Sequence, residues 1–166
     1  MLLIFPPIAK ACEPPAGIAR LAGTLQANGV ACRLWDANLD GQLWLLEQPP
    51  SDDDTWTGRA WRSRQKHLKS LREPETYQKP GRYATAVNDL NRLLQTSGKR
   101  HQTDISLADY RHESLSPVRS QDLLQAAANP EQNPFFPFFQ QHLAQLMDGI
   151  STVGISLCFL SQAISS

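Results

Sequence analysis

The apolar and polar positions at the start of the chain predict a strand, a helix and a second strand. Leu2–Phe5 is a short apolar run that stops at Pro6-Pro7. Apolar residues then recur at the spacing of an amphipathic helix, namely Ile18, Leu21, Ala22 and Leu25. Asn28-Gly29 is typical of a helix C-terminus, because glycine adopts the left-handed conformation without steric cost. Residues 30–35 are again mostly apolar, so residues 1–41 predict a βαβ unit.

A third strand is predicted near the end of the sequence, where residues 153–160 are predominantly apolar. Parallel strands joined through a helix form right-handed units, and ligands bind beyond the carboxyl ends of such strands. The sequence therefore predicts a single α/β domain over residues 1–166, with a parallel sheet in the strand order 2-1-3. Residues 151–166 supply the third strand and the start of a further helix.

Residues 42–150 lie between the second and third strands and need structure of their own, because so long an unstructured loop is rare within a domain. Helices are predicted over residues 57–72 and 120–128, the latter with Ser120 as its N-cap. Another is predicted from apolar residues that step by four, three and four, with Ser97-Gly98 at its end; these are Tyr83, Val87, Leu90 and Leu94. Residues 47–54 are predicted to form a turn or mobile loop, and residues 104–118 an extended loop.

A phenylalanine-rich helix is predicted after Asn133-Pro134 and before Gly149. One face of this helix carries its aromatic and aliphatic side chains, namely Phe135, Phe138, Phe139, His142, Leu143 and Leu146. Because the helix leads directly into the third strand, we expect it to be the crossover helix that packs on the sheet.

Charge is concentrated in the middle of the sequence. Residues 56–101 carry eleven basic and three acidic side chains, a net charge of +8, whereas residues 1–55 and 102–166 each carry a net charge of −4. The basic side chains wrap around the predicted helix, and no aromatic RNA-binding motif accompanies them. A solvated helix face or docking to an acidic protein surface explains them better than nucleic-acid binding.

The cysteines and histidines predict neither disulfides nor a metal site. Cys12, Cys32 and Cys158 are too few and too scattered for a disulfide framework or a zinc or iron–sulfur site, and we expect a cytoplasmic protein. The four histidines lack ligand spacing. No apolar run approaches the length of a membrane span, so no membrane partner is predicted. No phosphate-binding glycine loop, nucleophile elbow or carboxylate pair points to a catalytic residue.

The candidate binding residues lie at the ends of the first two predicted strands. Pro6, Pro7, Pro14 and Pro15 would shape the rim of a pocket, or would simply end a strand and start a helix. Asp36 and Asn38 follow the second strand, where an acidic residue often meets a ribose hydroxyl in doubly wound folds. The same residues also suit a plain turn.

Further candidates lie on and after the third strand. Gly154 and Ser156 would let a flat ligand approach the backbone, or would leave room for the phenylalanine-rich helix. Gln162 opens the last helix, whose first N–H groups point into the ligand crevice. We regard Gln162 as the best single candidate for a ligand contact.

Several of these segments together resemble the N-terminal part of cobalamin-binding-type radical S-adenosylmethionine proteins. The resemblance covers roughly residues 1–41 and 153–166 and rests on Leu3-Ile4-Phe5-Pro6-Pro7, on Pro14-Pro15-Ala16-Gly17-Ile18-Ala19-Arg20-Leu21-Ala22-Gly23, on Trp35-Asp36-Ala37-Asn38, and on Val153-Gly154-Ile155-Ser156 with Gln162-Ala163. It implies a Rossmann-like domain of flavodoxin type that holds a corrinoid, cobalamin, over a neighbouring catalytic barrel, here with a large helical insertion between strands 2 and 3.

In such proteins a Cys-x₃-Cys-x₂-Cys motif of the barrel binds a [4Fe–4S] cluster, which acts with S-adenosylmethionine. This motif is absent from the sequence. The resemblance therefore implies a truncated N-terminal fragment that has no catalytic activity alone. The expected partner is the downstream catalytic barrel, and the third strand would offer a bare sheet edge for self-association.

The sequence departs from the better-known cobalamin domains in two motifs. Those domains carry Asp-x-His-x-x-Gly after the first strand, and its histidine binds cobalt, but residues 6–15 contain no histidine. Ser156-Leu157-Cys158 stands where Ser-x-Leu is usual. The chain would thus bind a corrinoid without a histidine ligand, or would be a Rossmann-like protein–protein docking domain that has lost its cofactor.

Overall fold

The structure is a computed structural model that describes residues 1–50 and 54–166. Residues 51–53 of the predicted loop at 47–54 lie outside the described residues. The elements in chain order are β1 (Leu2–Phe5), α1 (Ala16–Ala27), β2 (Arg33–Asp36), α2 (Ala37–Glu47), α3 (Thr55–Ser70), α4 (Pro74–Tyr77), α5 (Pro80–Lys99), β3 (Thr103–Ile105), β4 (Tyr110–His112), α6 (Ser120–Ala128), α7 (Phe136–Leu146), β5 (Val153–Ile155) and α8 (Gln162–Ser165).

A three-stranded parallel sheet forms the centre of the fold. β1 lies in the middle and pairs with β2 on one side and with β5 on the other. This arrangement confirms the predicted α/β class, the parallel direction and the order 2-1-3. The second strand begins three residues later than predicted, at Arg33, and the third ends at Ile155, well before residue 160.

Helices cover both faces of the sheet, which explains why β1 reads as an unbroken apolar run. On one face, Leu3 and Phe5 pack with Ile18 and Ala22 of α1. On the other face, Leu2, Ile4 and Trp35 pack with Phe138 of α7. The phenylalanine-rich helix is therefore the helix that packs on the sheet before β5, as predicted.

The segment between β2 and β5 contains helices with a core of their own. Leu46 of α2 and Leu90 and Leu94 of α5 are buried with Ile105 of β3 and Phe135. α2 was not predicted, whereas α3, α5 and α6 agree with the predicted helices within a few residues. No helix within residues 1–50 and 54–166 is long and apolar enough to cross a membrane.

Two predicted helix caps have other roles. Gly98 lies inside α5, which continues to Lys99, and an added Cβ would clash with the carbonyl oxygen of Thr103. Gly98 thus allows β3 to pack closely against α5, and it is not the residue at which the helix ends. Ser120 is the first residue of α6, and Arg119 occupies the cap position without a side-chain hydrogen bond. Gly29, by contrast, follows α1 with φ of +74°, as predicted.

The predicted extended loop at 104–118 is wrong, because β3 and β4 form an antiparallel hairpin. Ile105 pairs with Tyr110, and both side chains are buried. The Asn91 side chain on α5 accepts a hydrogen bond of 2.8 Å from the N–H of Leu107, which fixes the hairpin turn to the helix. Contacts with α5 therefore stabilise strands too short to show an alternating pattern.

Candidate functional site

The loop after β1 lies at the carboxyl edge of the sheet and is held by side chains from the end of the chain. Pro6 and Pro7 are buried, and their carbonyl oxygens accept hydrogen bonds from the Gln162 amide (2.6 Å) and the Ser165 hydroxyl. The Ser161 hydroxyl donates to the carbonyl of Ile8 at 3.1 Å. The predicted pair Pro6-Pro7 thus meets α8 through its backbone.

Gln162, the best candidate from the sequence, makes hydrogen bonds within the chain at both ends of its carboxamide. Its Oε1 accepts from the backbone N–H groups of Cys158 (2.8 Å) and Phe159 (3.0 Å), and Nε2 donates to Pro6. The side chain is fully buried. Gln162 therefore orders the turn between β5 and α8, and its contact with a ligand stays a prediction.

Asp36 and Asn38 organise the start of α2. The Asp36 carboxylate caps the helix by accepting from the N–H of Leu39 at 3.0 Å. Asn38 is buried, and its Oδ1 accepts from the N–H of Ala9 (2.8 Å) and from Gln42 Nε2 (2.9 Å). Both side chains make these bonds within the protein, and a ligand role for either one stays a prediction.

Gly154 and Ser156 lie on and just after β5. An added Cβ at Gly154 would lie 2.7 Å from Leu3 Cδ2 and would meet no other described atom within 4 Å. The space at Gly154 therefore serves Leu3 on the α1 side of the sheet and not the phenylalanine-rich helix. The N–H of Ser156 donates to the carbonyl of Ile4 at 2.9 Å, and its hydroxyl lies 3.7 Å from Cys158 Sγ.

A small depression lies between the loops that follow β1 and β5, where the connections from the sheet diverge to opposite sides. We call it the switch-point depression. It has a volume of about 210 Å³, and its lining includes Ala9, Pro14, Pro15, Cys158 and Phe159. The two prolines predicted to shape a pocket rim are thus part of a concave surface, at the place where open α/β sheets bind ligands.

A larger cavity opens on the other side of the loop after β1 and was not predicted. We call it the α2–α5 cavity. It has a volume of about 510 Å³, and α2, α4, α5, the end of α3 and the β3–β4 turn contribute to its wall. Most of the lining is aliphatic, including Leu39, Leu43, Leu46, Leu68, Leu71, Val87, Leu90 and Leu107. The spacing of residues 39, 43 and 46 was the available sequence signal for the α2 wall.

Lys10 and Arg72 also line this cavity and bring positive charge to it. Both are exposed, and the ammonium of Lys10 lies 3.0 Å from a carboxylate oxygen of Glu13. The hydrogen bond and charge of Glu13 raise the pKa of Lys10 above its ordinary value. Lys10 is therefore a cation at neutral pH, with Glu13 as its partner.

Charged and aromatic side chains also join α3 to α5. Asp89 is buried and accepts a hydrogen bond of 2.9 Å from the indole N–H of Trp56, and its other oxygen lies 3.0 Å from His67 Nε2. Asp54, the N-cap of α3, pairs with Arg92 at 2.8 Å. These contacts give part of the charged middle segment a structural role.

The described residues contain no group of three or more His, Cys, Asp or Glu side chains that could hold a metal ion. All three cysteines are free thiols. The binding surfaces of this region are thus mainly apolar, with the charged side chains of Lys10 and Arg72 at the α2–α5 cavity and of Glu13 at the switch-point depression.

Comparison of the chain with protein-family models, with curated proteins and with solved structures finds no match in any of the three.

Proposed function

We propose that this chain is a cofactor-positioning domain of the kind that begins cobalamin-type radical S-adenosylmethionine enzymes. In this proposal it is a Rossmann-like domain of flavodoxin type, and the helices between β2 and β5 form a large insertion. The observation that carries the proposal is the switch-point depression, because it lies between the loops after β1 and β5 in a sheet of order β2-β1-β5. The free cysteines support a reducing, cytoplasmic location.

The residues of the depression fit the flat apolar face of a corrinoid. Pro14, Pro15 and Phe159 give an apolar lining, and the same turn after β5 exposes Leu157 and Leu160. A depression of about 210 Å³ is far too small to enclose a whole corrinoid, so this surface would support one face only. No histidine lies in residues 6–15, and the proposed contact is therefore apolar and does not involve cobalt ligation.

When bound, the corrinoid supplies the cobalt chemistry, while this chain orients the ring and shields one face from water. The side chains of Gln162, Ser161 and Ser165 hold the loop after β1 in place through hydrogen bonds to its carbonyl groups. We assign no catalytic residue to this chain. In the proposal, S-adenosylmethionine and the [4Fe–4S] cluster belong to a downstream barrel.

The test is binding of hydroxocobalamin to the purified chain, followed by visible absorption and by comigration on gel filtration. Phe159→Glu should weaken binding strongly, because it places a charge against the apolar ring. Leu124→Glu is the matched control, since Leu124 is also exposed but lies on α6. Absence of binding both to this chain and to the longer protein with its cluster intact would remove the corrinoid assignment.

A second function, docking to another protein without a cofactor, is favoured by the exposed apolar edge of the sheet. Among residues 1–50 and 54–166, β5 pairs with β1 alone, and Ile155 is 61% exposed, with Val153 and Leu157 also exposed. We propose the downstream catalytic half as the partner. Capture of this half by the chain without corrinoid, and its loss in Ile155→Lys, would support docking; no interaction would exclude it.

A further inference from the structure

The α2–α5 cavity has no lining residue in common with the switch-point depression. Its volume of about 510 Å³ lies in the range of small-molecule sites, roughly 300–1,000 Å³. Leu46 and Leu90 on its wall are buried, whereas Lys10 and Arg72 on its wall are exposed. The cavity therefore extends from an apolar interior to a charged rim at the protein surface.

The interior of the cavity is suited to an aliphatic part of a ligand. Eight of its lining residues are leucine or valine. The rings of Tyr77 and Tyr83 contact each other, with centroids 5.5 Å apart, and leave no slot for a flat ring between them. Gln42 Oε1 is shielded from solvent and Nε2 donates to the carbonyl of Ala9, so this amide is not offered to a ligand. Binding in the interior therefore depends on the burial of hydrocarbon.

The charged side chains of the lining are basic. Lys10 and Arg72 belong to it, and among the residues that the structure describes it includes no Asp or Glu. Lys10 already pairs with Glu13, which lies in the switch-point depression. The side chain of Arg72 makes no hydrogen bond or ion pair within residues 1–50 and 54–166. Arg72 is therefore available to an anionic ligand.

The segment between α3 and α5 adds to the positive charge around Arg72. Residues 69–82 carry four basic and two acidic side chains, a net charge of +2. The two acids, Glu73 and Glu75, do not line the cavity. A guanidinium group can bind a carboxylate through two parallel hydrogen bonds. Because the rim is exposed, a carboxylate bound there would keep part of its hydration and avoid the full cost of burying a charge.

We propose that the α2–α5 cavity binds an aliphatic carboxylate, whose charged group pairs with Arg72 and whose hydrocarbon chain occupies the apolar interior. Lys10 adds positive charge to the same rim. This site goes beyond the corrinoid proposal and does not depend on it.

The first test varies the ligand. Decanoate, decanol and decyltrimethylammonium share one chain and differ in charge, and calorimetric titration below their micellar concentrations gives their affinities. Decanoate should bind roughly three- to tenfold more tightly than decanol, and the cation most weakly. Octanoate should bind up to about fifteenfold more weakly than decanoate, because it buries two fewer methylenes. Equal affinity for decanoate and the cation, or no binding of decanoate, would overturn the proposal.

The second test removes the charge at the rim. Arg72→Gln should weaken decanoate binding by the same three- to tenfold and leave decanol binding within about twofold. Arg59→Gln is the matched control, since Arg59 is exposed on α3 outside the cavity lining and the change in net charge is the same. An equal loss of decanoate binding in the two variants would contradict the role of Arg72.

The third test locates the ligand with two free thiols. Cys12 lines the α2–α5 cavity and Cys158 lines the switch-point depression, and both are exposed. Decanoate should slow the alkylation of Cys12 by iodoacetamide, followed by peptide mass spectrometry, and leave the rate at Cys158 unchanged. Protection of Cys158 alone would place the ligand on the proposed corrinoid surface and overturn the assignment to this cavity.

Discussion

Asn38 joins the loop after β1 to α2 through a single buried oxygen. We expect Asn38→Leu to lower the free energy of unfolding by roughly 2–4 kcal/mol, since two donors, Ala9 N–H and Gln42 Nε2, lose an acceptor at about 1–3 kcal/mol each. Urea unfolding measures this loss. Asn88→Leu on the exposed side of α5 is the control and should change stability by less than about 0.5 kcal/mol. A similar effect in both variants would contradict the role of the Asn38 oxygen.

The Asp54 carboxylate makes stability dependent on pH. Hydrogen bonds from the Thr57 hydroxyl and N–H, and then from Arg92, hold the pKa of Asp54 well below its ordinary value of 3.8. A lowered pKa in the folded state means that the carboxylate stabilises the protein above this value and that the stabilisation is lost as the pH falls below it. Asp54→Asn should therefore be less stable than the wild type near neutral pH.

The difference between wild type and Asp54→Asn should shrink as the pH is lowered through about 4 towards about 2. Urea midpoints measured for both proteins across this range provide the check. Asp54 is exposed, so the difference will be modest and reduced by salt. A difference that stays constant on acidification would show that the charge of Asp54 does not stabilise the fold.

Individual residues show why the sequence indicated where side chains would lie but not which partners they would bond to. Pro14 and Pro15 were expected on a pocket rim, and they line the switch-point depression. Gln162 was expected to face a ligand crevice, but its amide bonds to Pro6, which lies 156 residues earlier. A sequence shows which groups can form hydrogen bonds, whereas the choice of partner depends on contacts between distant segments.

Among the elements, the packing of β3 against α5 depends on the absence of a side chain at Gly98. We expect Gly98→Ala to destabilise the protein by about 1–3 kcal/mol, because the new Cβ would clash with the backbone oxygen of Thr103. Gly81→Ala in the same helix is the control. Nothing lies within 4 Å of its added Cβ, and the greater helix propensity of alanine should leave stability unchanged or raise it by up to about 1 kcal/mol.

Thermal unfolding of the two glycine variants provides the comparison. Equal midpoints for Gly98→Ala and Gly81→Ala would contradict the close approach of β3 to α5. Loss of the hairpin alone, seen as faster amide exchange at Ile105 and Tyr110 with α5 intact, would still support it.

α5 was predicted correctly because its apolar residues form one face. The steps between Tyr83, Val87, Leu90 and Leu94 predicted α5, which packs along one side. α2 was missed because its apolar residues point in several directions, with Leu43 towards the cavity and Leu45 in the core. The strands of the hairpin have three residues each, too few to show a period of two.

For the whole molecule, the edge strand β5 is the most exposed apolar part of the sheet. We expect the chain to self-associate as its concentration rises, because the outer edge of β5 has no strand partner within the described part of the chain and carries the exposed side chains of Val153 and Ile155. Ile155→Lys should shift the equilibrium to the monomer, since edge lysines disfavour strand pairing. Sedimentation velocity over a range of concentrations tests this, and a wild-type chain that stays monomeric at high concentration would contradict it.

The parallel direction of the sheet followed from three short segments, because strands joined through helical crossovers run in the same direction, and the order of β2, β1 and β5 is the one expected for a doubly wound sheet. The α2–α5 cavity could not be found in this way. Its wall comes from the loop after β1, from four helices and from the hairpin turn, none of which shows a binding motif. A concave surface assembled from so many separate segments exists only once they have packed together.

The hydrogen bonds from α8 and its preceding residue Ser161 to the loop after β1 have a consequence for synthesis on the ribosome. Ile8 and Pro6 emerge more than 150 residues before the side chains of Ser161 and Gln162 that bond to them. β1 likewise cannot pair with β5 until β5 has been synthesised, whereas α1 and β2 are synthesised soon after β1. Nascent chains therefore hold an unfinished sheet until β5 and α8 have been synthesised, and contacts between such distant segments slow the final step of folding.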